Sequence, residues 1–185
     1  MVLLKSEQKL RLGDKAPDFC LKGTDDKVYS LSDFKNAKAL LIIFMCNHCP
    51  YVKAKFEAIK GLSEKYKDKG LIIVGINSNE SINYPEDSFE NMKKAATEMK
   101  FNFHYLYDET QETAKDYGAV CTPDPFLFDS KMKLAYHGRL DNAMSPGETA
   151  TVHDMDEAVD SLLKGRPINK GFFPSQGCSI KWKDQ

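Results

Sequence analysis

Two cysteines separated by two residues, in Cys46-Asn47-His48-Cys49, have the clearest capacity for chemistry in this sequence. Thiols at this spacing can meet sulfur to sulfur, exchange with a disulfide, or share a metal ion. The pair directly follows the apolar run Ala39-Leu40-Leu41-Ile42-Ile43-Phe44-Met45. That run is short, rich in branched and aromatic residues and without helical period, which predicts a buried strand. Pro50 and an amphipathic stretch from Tyr51 to Tyr66 come next. The motif is therefore expected at the carboxyl end of a strand and the first turn of a helix. Helix N-terminal N–H groups favour an anion, so Cys46 is expected to lose its proton more readily than a free thiol. Lowering a thiol pKa from about 8.5 to about 7 raises the thiolate fraction at pH 7 from a few per cent to about half.

The chain that must position this pair has 185 residues, 42% of them hydrophobic, enough for one sizeable core. A single domain over 1–185 is expected, with 166–185 as a C-terminal tail. The formal net charge is −1 with both signs interspersed, so there is no electrostatic case for nucleic acid or an anionic membrane. Met1 to Lys9 carries only Val2-Leu3-Leu4 as an apolar group. With no export signal or spanning segment to read there, a cytoplasmic location is expected. Five cysteines, an odd number, argue for thiols kept reduced or cycling.

In chain order, Phe19-Cys20-Leu21 and Val28-Tyr29-Ser30-Leu31 read as a hairpin, with Cys20 as a core cysteine. Val52, Phe56, Ile59, Leu62 and Tyr66 recur at helical spacing, and Gly70 marks the stop. Leu71 to Ile76 is a second buried strand, which implies a sheet covered on both faces. Asn77 to Asp87 reads as a polar loop, and Phe89, Met92, Ala96 and Met99 as a helix. Phe101 to Asp108 predicts a strand, Thr110 to Tyr117 a short helix, and Phe126–Phe128 with Leu134–His137 an antiparallel pair. Thr151 to Asp154 has the pattern of a capping box for a last helix ending near Lys164-Gly165. In the tail, Trp182 is the expected aromatic anchor and Cys178 sits on a turn.

This order of elements, the C-x-x-C at a strand-to-helix junction and Thr122-Pro123-Asp124-Pro125-Phe126-Leu127-Phe128-Asp129 resemble the thioredoxin fold: an α/β protein with a central mixed β-sheet and helices on both faces. Gly13-Asp14-Lys15-Ala16-Pro17-Asp18-Phe19 and Leu31-Ser32-Asp33-Phe34 resemble its redoxin branch more closely. That branch holds the TlpA/ResA-type thioredoxins and the peroxiredoxins of the alkyl hydroperoxide reductase and thiol-specific antioxidant group. Cys46 to Val52 and Gly177 to Trp182 resemble a peroxiredoxin-like subgroup within it.

The resemblance implies a thiol–disulfide oxidoreductase with protein or small-molecule disulfides and an electron donor as its partners, and no cofactor. Cys46 matches the exposed nucleophile that forms a mixed disulfide, and Cys49 the buried resolving cysteine. Thr122-Pro123 matches the threonine–cis-proline pair that offers backbone to a bound substrate chain. His48 stands where the histidine of the DsbA-type motif stands, and an imidazolium there would stabilise the Cys46 thiolate and tune the redox potential. Cys121 and Cys178 are accessory thiols, and a relay through Cys178 would have Cys121 or Cys46 as its targets. Two departures stand out: no acid lies within Ala39 to Met45, and Val52 replaces the TlpA-type glutamate, leaving Glu57 as the candidate base for Cys49.

Two other readings compete. A peroxiredoxin would align Cys49 with the peroxidatic cysteine, but Cys46 then replaces the threonine and Pro123 the arginine, leaving Arg139 as the arginine within reach. A thioredoxin-fold binding module without turnover is the other. Zinc would want four ligands, generally from two separated pairs, and the motif lies too close in sequence to complete a tetrahedron with Cys121 or Cys178; no metal is expected. His104, His137 and His153 are isolated and read as structural.

Overall fold

The structure, a computed structural model, describes residues 2–183. The run at its centre behaves as its composition demands: Ala39 through Met45 are all fully buried. Strands β1 (Leu3–Lys5), β2 (Cys20–Gly23) and β3 (Val28–Ser30) precede it, and the run itself is β4 (Ala39–Phe44). After it come α1 (Pro50–Lys53), α2 (Phe56–Tyr66), β5 (Leu71–Asn77), α3 (Phe89–Glu98), β6 (His104–Tyr107) and α4 (Glu112–Tyr117). The chain continues through β7 (Cys121–Thr122), β8 (Asp124–Asp129), β9 (Leu134–His137), α5 (Asp154–Leu163) and β10 (Gln176–Ser179).

Seven strands form one mixed sheet in the order β3-β2-β6-β5-β4-β8-β9, with β4 parallel to β5 and antiparallel to β8. Side chains alternate across β4, and both faces are apolar. Leu41, Ile43 and Met45 pack with Val52 and Ile59 of the motif helices and with Met155 and Val159 of α5. Leu40, Ile42 and Phe44 pack on the other face with Phe34, Ala114 and Tyr117. Each fully buried Leu or Ile here is worth about 1.5–3 kcal/mol, so the strand that delivers the motif is firmly anchored. The mixed sheet with helices on both faces is the thioredoxin-like arrangement expected from the sequence.

The stretch 51–66 is not the single helix expected. The Lys55 backbone N–H bonds the Val52 carbonyl, a tighter turn, and the regular pattern restarts where Ile59 bonds Lys55. The Lys55 side chain is drawn away to Asp141 (2.5 Å) and the Ala143 carbonyl (2.8 Å). The motif helix is thus only four residues long. The last helix also starts differently, at His153 without a side-chain cap.

The second sheet, β1-β10-β7, has no counterpart in the sequence reading. Gly177 explains how β10 comes so close: a Cβ there would lie 1.9 Å from the Thr122 carbonyl oxygen. The aromatic anchor expected of the tail is not one, since Trp182 is 40% exposed. Ile180 is buried in its place, and backbone bonds fasten the segment: the Lys181 carbonyl accepts from the Glu80 N–H, and its N–H donates to Asn79 Oδ1.

Candidate active site

Cys46 leaves the end of β4, pinned by the Met45 N–H to the Ile76 carbonyl at 2.8 Å. Cys49 is the N-cap of α1, with Pro50 at the first helical position. Thr122-Pro123, joined by a cis peptide bond, faces both: Cys46 Sγ is 3.3 Å from Thr122 Oγ1, and Cys49 Sγ is 3.4 Å from the Thr122 carbonyl oxygen. Pro123 also lines a cleft with Tyr51, Lys55, Arg139, Met144 and Gln176. Cys46 is not exposed as expected; both motif cysteines are fully buried, because β7 and β10 close over them.

The third sulfur comes from the tail. In β10, Cys178 stands opposite Thr122, is buried, and places its Sγ 2.8 Å from that of Cys49. The expected turn is therefore a central strand of the small sheet, and its thiol meets Cys49. Cys121 is also buried, pairs with Ser179, and has its thiol pKa pushed far up by burial. Cys20 is exposed on β2 and is no core residue.

The two motif sulfurs sit in different surroundings. Cys49 is drawn down to about 5, first by the hydrogen bond from the Cys46 thiol and, against the cost of burial, by the Cys178 thiol and the Val52 N–H. Cys46 moves the other way, raised by giving that bond to Cys49, by burial and by the nearby Asp87 carboxylate. A four-residue helix whose cap is Cys49 has little dipole to offer Cys46.

Asp87 is the residue that sequence reading missed. Its carboxylate accepts from the Asn47 backbone N–H (2.6 Å), from Asn79 Nδ2 (2.8 Å) and from Asn77 Nδ2 (3.3 Å), and pairs with His48 Nδ1 at 2.5 Å. Tyr84 stacks on the His48 ring, and the Tyr105 hydroxyl donates to Asn47 Oδ1 at 3.0 Å. Despite the cost of burying it, these donors hold the Asp87 carboxyl below its usual range, and the pair raises His48. Asp87 is thus the first partner of the His48 ring. Asp87 lies in the segment read as a plain polar loop, and an acid 40 positions from the motif carries no local signal.

Other expected residues lie elsewhere. Glu57 is exposed on α2 and paired with Lys60, and is no base for Cys49. Arg139 is held by Asp154 at 2.7 Å and by the Phe173 ring. His137 is a buried structural residue, 2.8 Å from Asp124 and stacked on Phe126, and His104 sits between Tyr29 and Phe34. His153 lies at the start of α5. Among the described residues, Cys46, His48 and Asp87 bring three ligand-type atoms within 4.8 Å of one another. No helix among the described residues is long and apolar enough to cross a membrane.

The sequence model of the AhpC/TSA family matches residues 12–137. The chain is 27% identical over 128 residues to the thiol-disulfide oxidoreductase ResA of Bacillus thuringiensis subsp. konkukian, covering 69% of each chain. It is 28% identical over 110 residues to the chloroplastic peroxiredoxin Q of Triticum aestivum, covering 60% of this chain and 47% of that one. An uncharacterized conserved protein of Geobacillus kaustophilus has a crystal structure that superposes with a TM-score of 0.95 at 46% identity, over 100% of this chain and 98% of the other.

Proposed function

The chain belongs to the AhpC/TSA family and is a thiol–disulfide oxidoreductase; on that premise we propose that Cys46 and Cys49 are its working couple, with Cys49 as the attacking thiolate. The observation that carries this is the position of the Cys49 sulfur, 2.8 Å from that of Cys178 and within hydrogen-bonding reach of Cys46. A thiolate is the nucleophile in disulfide exchange, and the Cys49 thiol is the one whose pKa its neighbours draw down. The Cys49 thiolate attacks one sulfur of a substrate disulfide, and the other sulfur leaves and takes up a proton. Once Cys49 is neutral in the mixed disulfide, Cys46 no longer has an anion to donate to. It then gives up its proton, attacks Cys49 Sγ and frees the second substrate thiol. An electron donor returns the Cys46–Cys49 disulfide to the dithiol.

Thr122 and Pro123 serve as the substrate-facing wall, supported by the cleft that Pro123 shares with Tyr51. His48, fixed by Asp87, supplies the positive partner that keeps a buried carboxylate from opposing the thiolate. A cytoplasmic location belongs to the same proposal and fits a site that works as thiols.

Insulin-disulfide reduction by wild type, Cys46→Ser and Cys49→Ser tests the assignment. Cys49→Ser should abolish turnover and fail to form any mixed disulfide. Substantial turnover in Cys49→Ser would sink it. Peroxide reduction is a second reading, favoured by one observation: the low-pKa thiol is Cys49, the residue that aligns with a peroxidatic cysteine. Peroxide consumption by Cys49→Ser and wild type, measured alongside, decides between the two activities.

A further inference from the structure

Resting on the oxidoreductase reading above, we propose that Cys178 is a third redox thiol of this site, one that resolves Cys49 and takes the enzyme through a Cys49–Cys178 disulfide. The sulfurs are already 2.8 Å apart. A disulfide bond is about 2.05 Å long, so less than about 1 Å of approach completes it. Cys178 is held in place on both sides, by β1 through Leu3 and by β7 through Thr122. Gly177 is what lets the strand lie this close. Folding has thus already met the cost of closing a loop of more than a hundred residues. Cys121, on the neighbouring strand, is raised by burial as Cys178 is, but it is Cys178 whose sulfur stands 2.8 Å from that of Cys49.

The step balances as two exchanges. Cys49, having opened a substrate disulfide, carries one substrate half as a mixed disulfide. Cys178 gives up its proton and attacks Cys49 Sγ; the Cys49–Cys178 bond forms and the bond from Cys49 to the substrate breaks. The substrate half leaves as a thiolate and takes up that proton. Two electrons have then passed from two protein thiols to the substrate. Cys46 can next attack Cys49 Sγ, forming Cys46–Cys49 and returning Cys178 to its thiol with no further change in electron count. Cys49 becomes a branch point between two disulfides, one of which ties the C-terminal strand to the start of the motif helix.

Cys46→Ser removes the competing partner and keeps four cysteines. After oxidation with diamide and an acid quench, its alkylatable thiols should fall from four to two. Non-reducing peptide mapping should link the segments containing Cys49 and Cys178. In an otherwise wild-type chain, Cys178→Ser should slow disulfide turnover several-fold and still form Cys46–Cys49. Four thiols remaining in folded Cys46→Ser overturn the relay. Should that variant lose its near-ultraviolet dichroism, wild type quenched at short oxidation times decides. A Cys49–Cys178 link supports the relay, and Cys46–Cys49 alone at every time overturns it. Wild type that turns over and forms only Cys46–Cys49 defeats the relay but keeps the couple, whereas wild type forming neither disulfide defeats both.

Discussion

Cys178 places its sulfur 2.8 Å from that of Cys49, although 129 positions separate them in the chain. Cys49 also shares a hydrogen bond with Cys46, and all three sulfurs lie in a site closed to solvent. The second cysteine of the motif is thus the one that meets the thiol of the tail.

The first prediction concerns that thiolate. Following its ultraviolet absorbance with pH in the reduced protein should show a transition near pH 5 that disappears in Cys49→Ser. An unfolded cysteine titrates at about 8.5. Between about pH 5 and about 8.5 the unfolded chain binds the proton and the native one does not, so the stability of the reduced protein should rise with pH across that window. A wild-type transition near 8.5, unchanged in Cys49→Ser, would count against the thiolate assignment.

Asp87→Asn keeps the shape of the side chain and removes its charge. The buried donors of Asn47 and Asn79 then meet a weaker acceptor, at a cost of about 1–3 kcal/mol in a thermal or urea melt. His48, whose pKa Asp87 raises, should titrate lower by proton NMR. The wild-type pair stabilises the fold fully below the unfolded histidine value of about 6.5, and this contribution fades as pH rises through the higher folded value. An unmoved His48 resonance in Asp87→Asn would show that the pair does not set its charge.

His48→Pro leaves the Asp87 carboxylate buried near Cys46 without its cation. Uncompensated, it disfavours a thiolate in the site and so destabilises the reduced form. The reduction potential should fall by tens of millivolts, where 30 mV corresponds to about 1.4 kcal/mol. Equilibration against a glutathione buffer measures it, and a raised potential contradicts the role.

Gly177→Ala tests the small sheet. The added methyl would stand 1.9 Å from the Thr122 carbonyl oxygen, so β10 must shift. A cost of about 1–3 kcal/mol, typical of overpacking, should appear in the melt. Cys178 should become easier to alkylate as it leaves Cys49. Wild-type stability together with unchanged Cys178 protection would show that β10 does not depend on this close approach.

The sequence by itself determined the sheet and the motif. Ala39 to Met45 is apolar at every position, short and rich in branched residues, and such a run reads as a strand covered on both faces, with Cys46 delivered at its end. Thr122-Pro123 was likewise legible, because its surrounding run resembles a known pattern. Tertiary structure alone decided the site's electrostatics and its third thiol. Asp87 and Cys178 act through bonds that span 40 and 129 positions, and no local periodicity encodes a contact of that range. The short helix is a similar case: its residues carry a continuous helical pattern, yet the helix breaks at Lys55, whose side chain is bonded to Asp141 and Ala143, more than eighty residues away. Which sulfur holds the charge depends on how many donors converge on it, and that number exists only once the chain has folded.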